Sequence, residues 1–182
     1  EDEISARLEE LLVLIEELPD KREKKTEVAK ITTLLCYIKR RSSLIFREKE
    51  MDTISGEDVA FYMEEMADFS GYGGVHLMVY GHGDREIPTG QGTLFYDFLY
   101  EVLGACMGSE KVNILVQLFF DEKQNRITLL LPMEKGGEAT ASASLKRAIA
   151  AEGGKVTTKA LDDSYGIEVA KLAGIPDNVV SR

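Results

Sequence analysis

The chain has little of what would tie it to a metal, an oxidising compartment or a nucleic acid. Its 182 residues hold two cysteines and two histidines. Cys36 and Cys106 lie far apart, with neither CxxC spacing nor a histidine cluster, so neither a disulfide framework nor a structural metal organises the chain. Both are expected as reduced, buried thiols. Basic residues are outnumbered, 22 Lys and Arg against 32 Asp and Glu. The resulting formal net charge of −10 argues against a duplex footprint, which needs a basic surface to neutralise phosphates. No nucleic-acid partner is expected. Long apolar runs are missing too. Nothing approaches the roughly 18 consecutive apolar residues of a spanning helix, and the acidic, amphipathic start is no signal peptide. No membrane contact is expected within this chain, and its start inside a helical pattern points to a piece of something longer.

What is present is an ordinary globular composition, 44% hydrophobic and 30% charged, enough for one core plus an appendage. Ile4, Leu8, Leu11, Leu12, Ile15 and Leu18 recur at helical spacing until Pro19 stops them. Val28, Ile31, Leu34, Leu35, Ile38 and Ile45 carry a second helix to about residue 50. Residues 1–51 thus read as a helical hairpin, a dimerisation-like arm. A long amphipathic pair with little else to pack on finds a partner, so a homodimer through residues 1–50 is expected. The alternative is that both helices fold back on the domain. Basic clusters at residues 21–25 and 39–41 have acidic neighbours and read as solvated faces.

A break at residues 52–55 sets the domain boundary. Ser55, followed by Glu57 and Asp58, has the form of an N-cap with acidic first-turn residues, on a helix to about residue 69. Gly71, Gly73 and Gly74 end it, and VHLMVY (75–80) reads as a strand. His76 within that strand and His82 in the turn after it read as exposed structural histidines. A loop over residues 84–92 leads to the stretch on which the rest is organised, TLFYDFLYEVLGACM (93–107). Most of its circumference is apolar, so the helix is buried. Asp97 and Glu101 stand four apart on a single face, and each is costly to bury unless solvated, paired or bound to a cation. Either they line a cleft or the helix has a wet side. Two β-prone runs follow, VNILVQLFF (112–120) and RITLLLP (126–132), then a small-residue loop, a helix over 145–152, and strands at 155–160 and 166–172.

From Ser55 the order helix, strand, helix, strand, strand, loop, helix, strand, strand predicts an α/β fold: a two-layer sandwich of a mixed sheet with helices on one face, preceded by the helical arm. This order resembles the ATP-binding domain of the gyrase, histidine kinase and MutL superfamily over roughly residues 55–172. The arm, with IKRRSSLIF (38–46), resembles the dimerisation region of bacterial sensor histidine kinases. The resemblance divides the chain into a dimerisation-like arm, 1–51, and a histidine-kinase-like ATP-binding domain, 52–182.

The resemblance implies a nucleotide site with degenerate motifs. In that family the central helix carries an asparagine box, and Asp97 and Glu101 occupy its two places. Glu101 would be the Mg²⁺ ligand, a role open to a carboxylate, and Asp97 would sit near the attacked phosphate as a base-like group. Two acids on the wet side of a packed helix is the alternative for both. The family's Asp-x-Gly-x-Gly motif, which binds adenine, resembles Met133-Glu134-Lys135-Gly136-Gly137, with Glu134 as the acid, Gly136 as the first glycine and Gly137 beside it. The second glycine's own place is held by Glu138, and the same run also fits a plain exposed turn. The family's lid has further glycines, whereas residues 139–144 contain none.

The implied function is a sensor histidine kinase fragment of a two-component system that binds ATP and Mg²⁺ and passes the γ-phosphoryl group to a histidine outside this chain. No histidine lies in the arm. A response regulator is the implied partner, and the cytoplasmic part of a membrane-anchored sensor the implied location. A catalytically inactive kinase-like domain, kept for dimerisation and protein contacts, is the alternative.

Overall fold

The computed structural model describes residues 2–16, 25–82, 85–108, 111–132, 141–160 and 164–172. Helices α1 (Asp2–Glu16) and α2 (Lys25–Glu50) lie against each other and form the arm. A short strand β1 (Thr53–Ser55) leads into α3 (Gly56–Ser70), where the Ser55 hydroxyl accepts the Asp58 amide at 3.0 Å, satisfying one of the donors that a helix start leaves open. Gly74, at φ 85°, takes the left-handed conformation that lets the chain leave a single 3-10 turn, and its carbonyl accepts the Val112 amide at 2.9 Å. Then come β2 (Val75–His82), β3 (Glu86–Pro88), α4 (Thr89–Cys106), β4 (Val112–Phe120), β5 (Gln124–Pro132), α5 (Ala143–Ala151), β6 (Gly154–Ala160) and β7 (Ser164–Leu172).

Five strands form one mixed sheet in the order β2-β4-β5-β7-β6, with β2 and β4 parallel and the other neighbours antiparallel. Strict alternation decides which face is inside. Ile114, Val116 and Leu118 on β4 and Ile127, Leu129 and Leu131 on β5 are fully or almost fully buried, while Met78 and Tyr80 on β2 point to the open face. The buried face is covered by helices, α3 against β2 and α5 against β6, with Phe95 of α4 stacked on Phe120 of β4 at 6.2 Å. The architecture is the expected two-layer α/β sandwich with helices on one face. Both cysteines are free and buried, as expected, and burial pushes the Cys36 thiol up, which keeps it protonated and unreactive.

Three features differ from the sequence reading. First, α4 begins at Thr89 rather than 93. Gly90 and Gly92 read as loop residues, but Gly92 is where α4 crosses the start of the domain. A Cβ there would stand 2.9 Å from Ile54 Cγ2 and 3.1 Å from Val59 Cγ2, so the close approach outweighs the low helix propensity of glycine. Second, β1 and β3 pair antiparallel as a two-stranded ribbon, each too short to carry an alternation signal. Third, residues 39–41 are not one solvated face: Lys39 stays exposed, but Arg40 and Arg41 are drawn in. Arg40 pairs with Glu65 of α3, and Lys39 lies 3.5 Å from the same carboxylate. Arg41 turns the other way, to α4. Arg47 extends the α3 contact to Asp58 at 2.8 Å, and Glu48 accepts the Thr93 hydroxyl at 2.6 Å. The arm's second helix is therefore docked on the domain along two faces, while Leu8, Leu12, Val13 and Ile15 of α1 and Val28 and Leu35 of α2 stay exposed.

The two glycines of α4 should respond in opposite directions. Gly92→Ala should lower stability by about 1–2 kcal/mol, since overpacking against two buried β-branched side chains exceeds the gain in helix propensity. Gly104→Ala, with nothing within 4 Å of the added methyl, should raise it by up to about 1 kcal/mol. Urea midpoints of the two variants beside the parent check both signs.

Candidate functional site

The central helix carries its two acids into very different surroundings. Asp97 is buried, 7% exposed, and its Oδ1 accepts the Tyr37 hydroxyl at 2.9 Å. Arg41 Nε lies 3.1 Å from the same oxygen. Tyr37 and Arg41 are four apart on α2, so one helix face presents both to one carboxylate. Tyr37 is held by stacking on Tyr100, ring centroids 4.0 Å apart, and on Tyr96 at 5.7 Å. From α1, the Arg7 guanidinium lies over both the Tyr100 ring, at 5.2 Å, and the Tyr37 ring, at 5.7 Å. Three helices of the arm and domain thus converge on the neighbourhood of Asp97.

Glu101, one turn further along, reaches the other way. Its Oε2 accepts the Ser142 amide at 2.6 Å and its Oε1 accepts the Ser142 hydroxyl at 2.8 Å. Ser142 is the N-cap of α5, its oxygen accepting the Leu145 amide at 3.1 Å. A carboxylate at this position meets the positive end of the helix dipole and fills an anion seat with the protein's own side chain. These contacts are exposed to solvent, where they exchange readily with water. A cavity of about 440 Å³ opens beside the two acids. It is lined from the arm by Arg7, Glu10, Tyr37 and Arg41, and from the domain by Asp97, Glu101 and Ser144. A second, of about 670 Å³, shares Arg7, Glu10, Glu101 and Ser144 with it and continues along α4 to Gly104 and Met107.

Asp97 and Glu101 therefore border one cavity, with their oxygens on different partners. Glu134, Gly136 and Gly137 fall in 133–140, outside the described residues. His76 is exposed, and Lys111 and Arg147 lie on the surface. Tyr37, Arg41, Arg7 and Ser142 had no part in the sequence reading of the site. The available signal was Asp97 itself, since an acid on a buried helix demands a cation, and Tyr37 and Arg41 stand four apart on the preceding helix. Among the described residues no group of three or more His, Cys, Asp and Glu side chains is arranged to hold a metal alone. A Mg²⁺ carried by phosphates needs only one or two carboxylates, and Glu101, whose partners are exchangeable, fits that role.

Burial pushes the Tyr100 hydroxyl up to about 12, with Glu10 adding to the rise and Arg7 opposing it. Burial raises Tyr96 as well. In the unfolded chain both ionise near pH 10. Ionisation is deferred only in the folded state, so the stabilisation is complete below about pH 10 and is lost as pH climbs through about 12. Tyr100→Phe should flatten the fall of the urea midpoint between pH 9.5 and about 11.5.

No protein-family model matches the chain, and no curated relative matches it by sequence. Solved structures do match. The histidine kinase domain of the Erythrobacter litoralis EL346 blue-light activated histidine kinase aligns over 95% of each chain at 10% identity, with a TM-score of 0.55. A bacterial phosphotransferase aligns over 91% of this chain and 89% of its own at 12% identity, TM-score 0.52. The Acinetobacter baumannii histidine kinase AdeS aligns over 94% and 93% at 8% identity, TM-score 0.51. The likeness extends through the arm as well as the sandwich, and the chain shares, from α1 to β7, the fold of histidine kinase domains.

Proposed function

We propose that the chain is the dimerisation and nucleotide-binding part of a sensor histidine kinase in two-component signalling, the cytoplasmic portion of a membrane-anchored sensor. The observation that carries this reading is the cavity between arm and α4, bordered by both acids of the central helix, on a fold that kinase domains share from arm to sandwich. In this reading ATP enters the cavity with Mg²⁺. Glu101 would hold the metal, and the Ser142 and Ser144 hydroxyls with the amides at the start of α5 would hold the phosphates. Asp97 stands beside the attacked phosphate, and Glu134, Gly136 and Gly137 serve the adenine. Bound Mg²⁺ supplies charge neutralisation on the phosphates. The protein's own share is positioning and exclusion of water.

The γ-phosphoryl group passes to a histidine outside this chain, and from there to a response regulator. Homodimerisation through residues 1–50 is part of the same reading. It is supported by the exposed apolar side chains of the arm, Leu12 being 59% and Val13 51% exposed, which a second copy would cover. Among the described residues no helix is long and apolar enough to cross a membrane.

Titration with fluorescent ATP, with and without Mg²⁺, tests the nucleotide reading. Binding should require Mg²⁺, and Glu101→Ala should weaken it by at least the roughly ten-fold that even an outer partner of a metal is worth. Absence of binding at millimolar nucleotide would overturn the kinase reading and leave protein contacts as the role of the fold.

A further inference from the structure

The five-stranded sheet ends on two unlike edges. β6 carries the exposed Lys155 and Lys159 on its edge, the kind of charge with which sheets deter further pairing. β2, at the opposite end, reads VHLMVYGH, with no Lys, Arg, Asp, Glu or Pro. Among the described residues no strand pairs with it on the side away from β4. Its inward side chains are short of cover as well. Leu77 and Val79 are only partly buried, whereas their neighbours on β4, Ile114 and Val116, are fully enclosed. Met78 and Tyr80, on the other face of the strand, are 48% and 54% exposed.

Helix α3 packs beside this edge and carries charge of one sign. Its carboxylates are Glu57, Asp58, Glu64, Glu65 and Asp68, and it has no Lys, Arg or His. Arg47 and Arg40 of α2 take Asp58 and Glu65. Glu57, Glu64 and Asp68 are exposed and have no ion-pair partner among the described residues. With Phe61 they stand at intervals of three and four residues, which makes one stripe along the helix. Phe61 stays 51% exposed within it, although the Arg40 guanidinium lies 5.5 Å over its ring. Across the seam with β2, Ala60 meets Gly81, where an added Cβ would stand 3.5 Å from the Ala60 methyl. Small residues on both sides leave a hollow of about 300 Å³, lined by Phe120 and bordered by Glu57, Phe61 and Glu64.

We propose that the free edge of β2 and the acidic stripe of α3 form a docking site for an extended basic segment of another protein, which adds a strand beside β2. Strand addition draws affinity from main-chain hydrogen bonds and specificity from alternate side chains. Those on the inner side of the added strand pass the stripe of α3, and those on the outer side lie beside Met78 and Tyr80. Glu57 and Glu64 are about 10 Å apart at 1.5 Å per helical residue, and strand positions four apart span about 13 Å. Two basic residues so spaced reach both acids and leave the residue midway between them over the hollow. That residue is apolar, because Ala60, Phe61 and Phe120 are what the hollow offers it. A second copy of this chain fits poorly, since pairing β2 with β2 would bring two acidic helices together. The site shares no lining residue with the cavity between arm and α4 and does not depend on what enters it.

A fluorescently labelled peptide, acetyl-Val-Lys-Val-Leu-Val-Lys-Val-amide, tests the site by anisotropy and hydrogen exchange on the whole chain. Its binding should slow exchange of β2 amides and leave those of β6 unchanged. A peptide with Glu in place of Lys should bind about ten-fold more weakly or worse, and one with Ala in place of the central Leu about ten-fold more weakly. Glu57→Gln combined with Glu64→Gln should weaken the Lys peptide by about five-fold, the worth of two ion pairs at a rim. Glu9→Gln combined with Glu152→Gln, an equal change of charge elsewhere, should leave its affinity within about two-fold. All these changes of protein lie at exposed positions, so the fold is not at stake. No binding at millimolar peptide overturns the proposal. Equal weakening by the two double variants also does, since it means general attraction to a chain of net charge −10. Binding that leaves β2 exchange unchanged, or that is indifferent to the central Leu, overturns it as well. Protection of β2 that rises with protein concentration in the absence of peptide would make a second copy the occupant, against the proposal.

Discussion

A carboxylate inside an apolar helix cannot stay alone. Left without partners, the Asp97 side chain would carry a desolvation penalty of several kcal/mol or take up a proton. Tyr37 and Arg41 remove that choice by supplying a hydroxyl and a guanidinium to one oxygen. Because both come from α2, neutralising one acid also fixes where the arm lies. The stack of Tyr37 on Tyr96 and Tyr100, the cover of Arg7 from α1 and the cavity left between arm and domain are consequences of that placement. Removing Arg41 would take a cation from a buried carboxylate, whereas removing the Tyr37 hydroxyl would take one hydrogen bond. The pairing therefore matters more for where the helices sit than for net stability, which an apolar substitute for the whole cluster could match.

The elements that were legible in the sequence are those whose burial follows a simple period. β4 and β5 alternate over nine residues each, and the structure returns them within two residues of the expected bounds. Ser55 caps α3 as its position before Glu57 and Asp58 suggested. The features that were not legible depend on contacts remote in sequence. The β1–β3 ribbon joins two three-residue strands over 30 residues apart in the chain. The first turn of α4 contains Gly90 and Gly92, which locally read as loop, and is helical because Thr89 is pinned to the carbonyls of Met51 and Asp52 and because only a glycine clears Ile54.

The site was half legible on the same principle. Helical spacing alone puts Asp97 and Glu101 on one face, and that geometry holds. What spacing does not reveal is the partner of each. Tyr37 and Arg41 lie about 60 residues before Asp97, and Ser142 about 40 after Glu101, so no local pattern links them. The run Lys39, Arg40 and Arg41 shows the cost of reading charge by neighbourhood. Three consecutive cations look like one solvated patch, but a helix sends successive residues 100° apart, and Arg40 and Arg41 serve different partners on different helices.

One turn of helix separates the two acids, and that turn sets what each can do. Asp97 is only 7% exposed and takes the Tyr37 hydroxyl and the Arg41 guanidinium from the arm. Glu101 sits at the rim, bonded to an exposed N-cap, and can exchange Ser142 for water or a cation at small cost. A group that gives up its ligands cheaply suits transient metal binding, whereas a buried group held by two partners suits seating the arm. The division of labour between the two acids therefore follows from their burial rather than from their type. It places exchangeable chemistry at the rim of the cavity and the restraint on the arm within its wall.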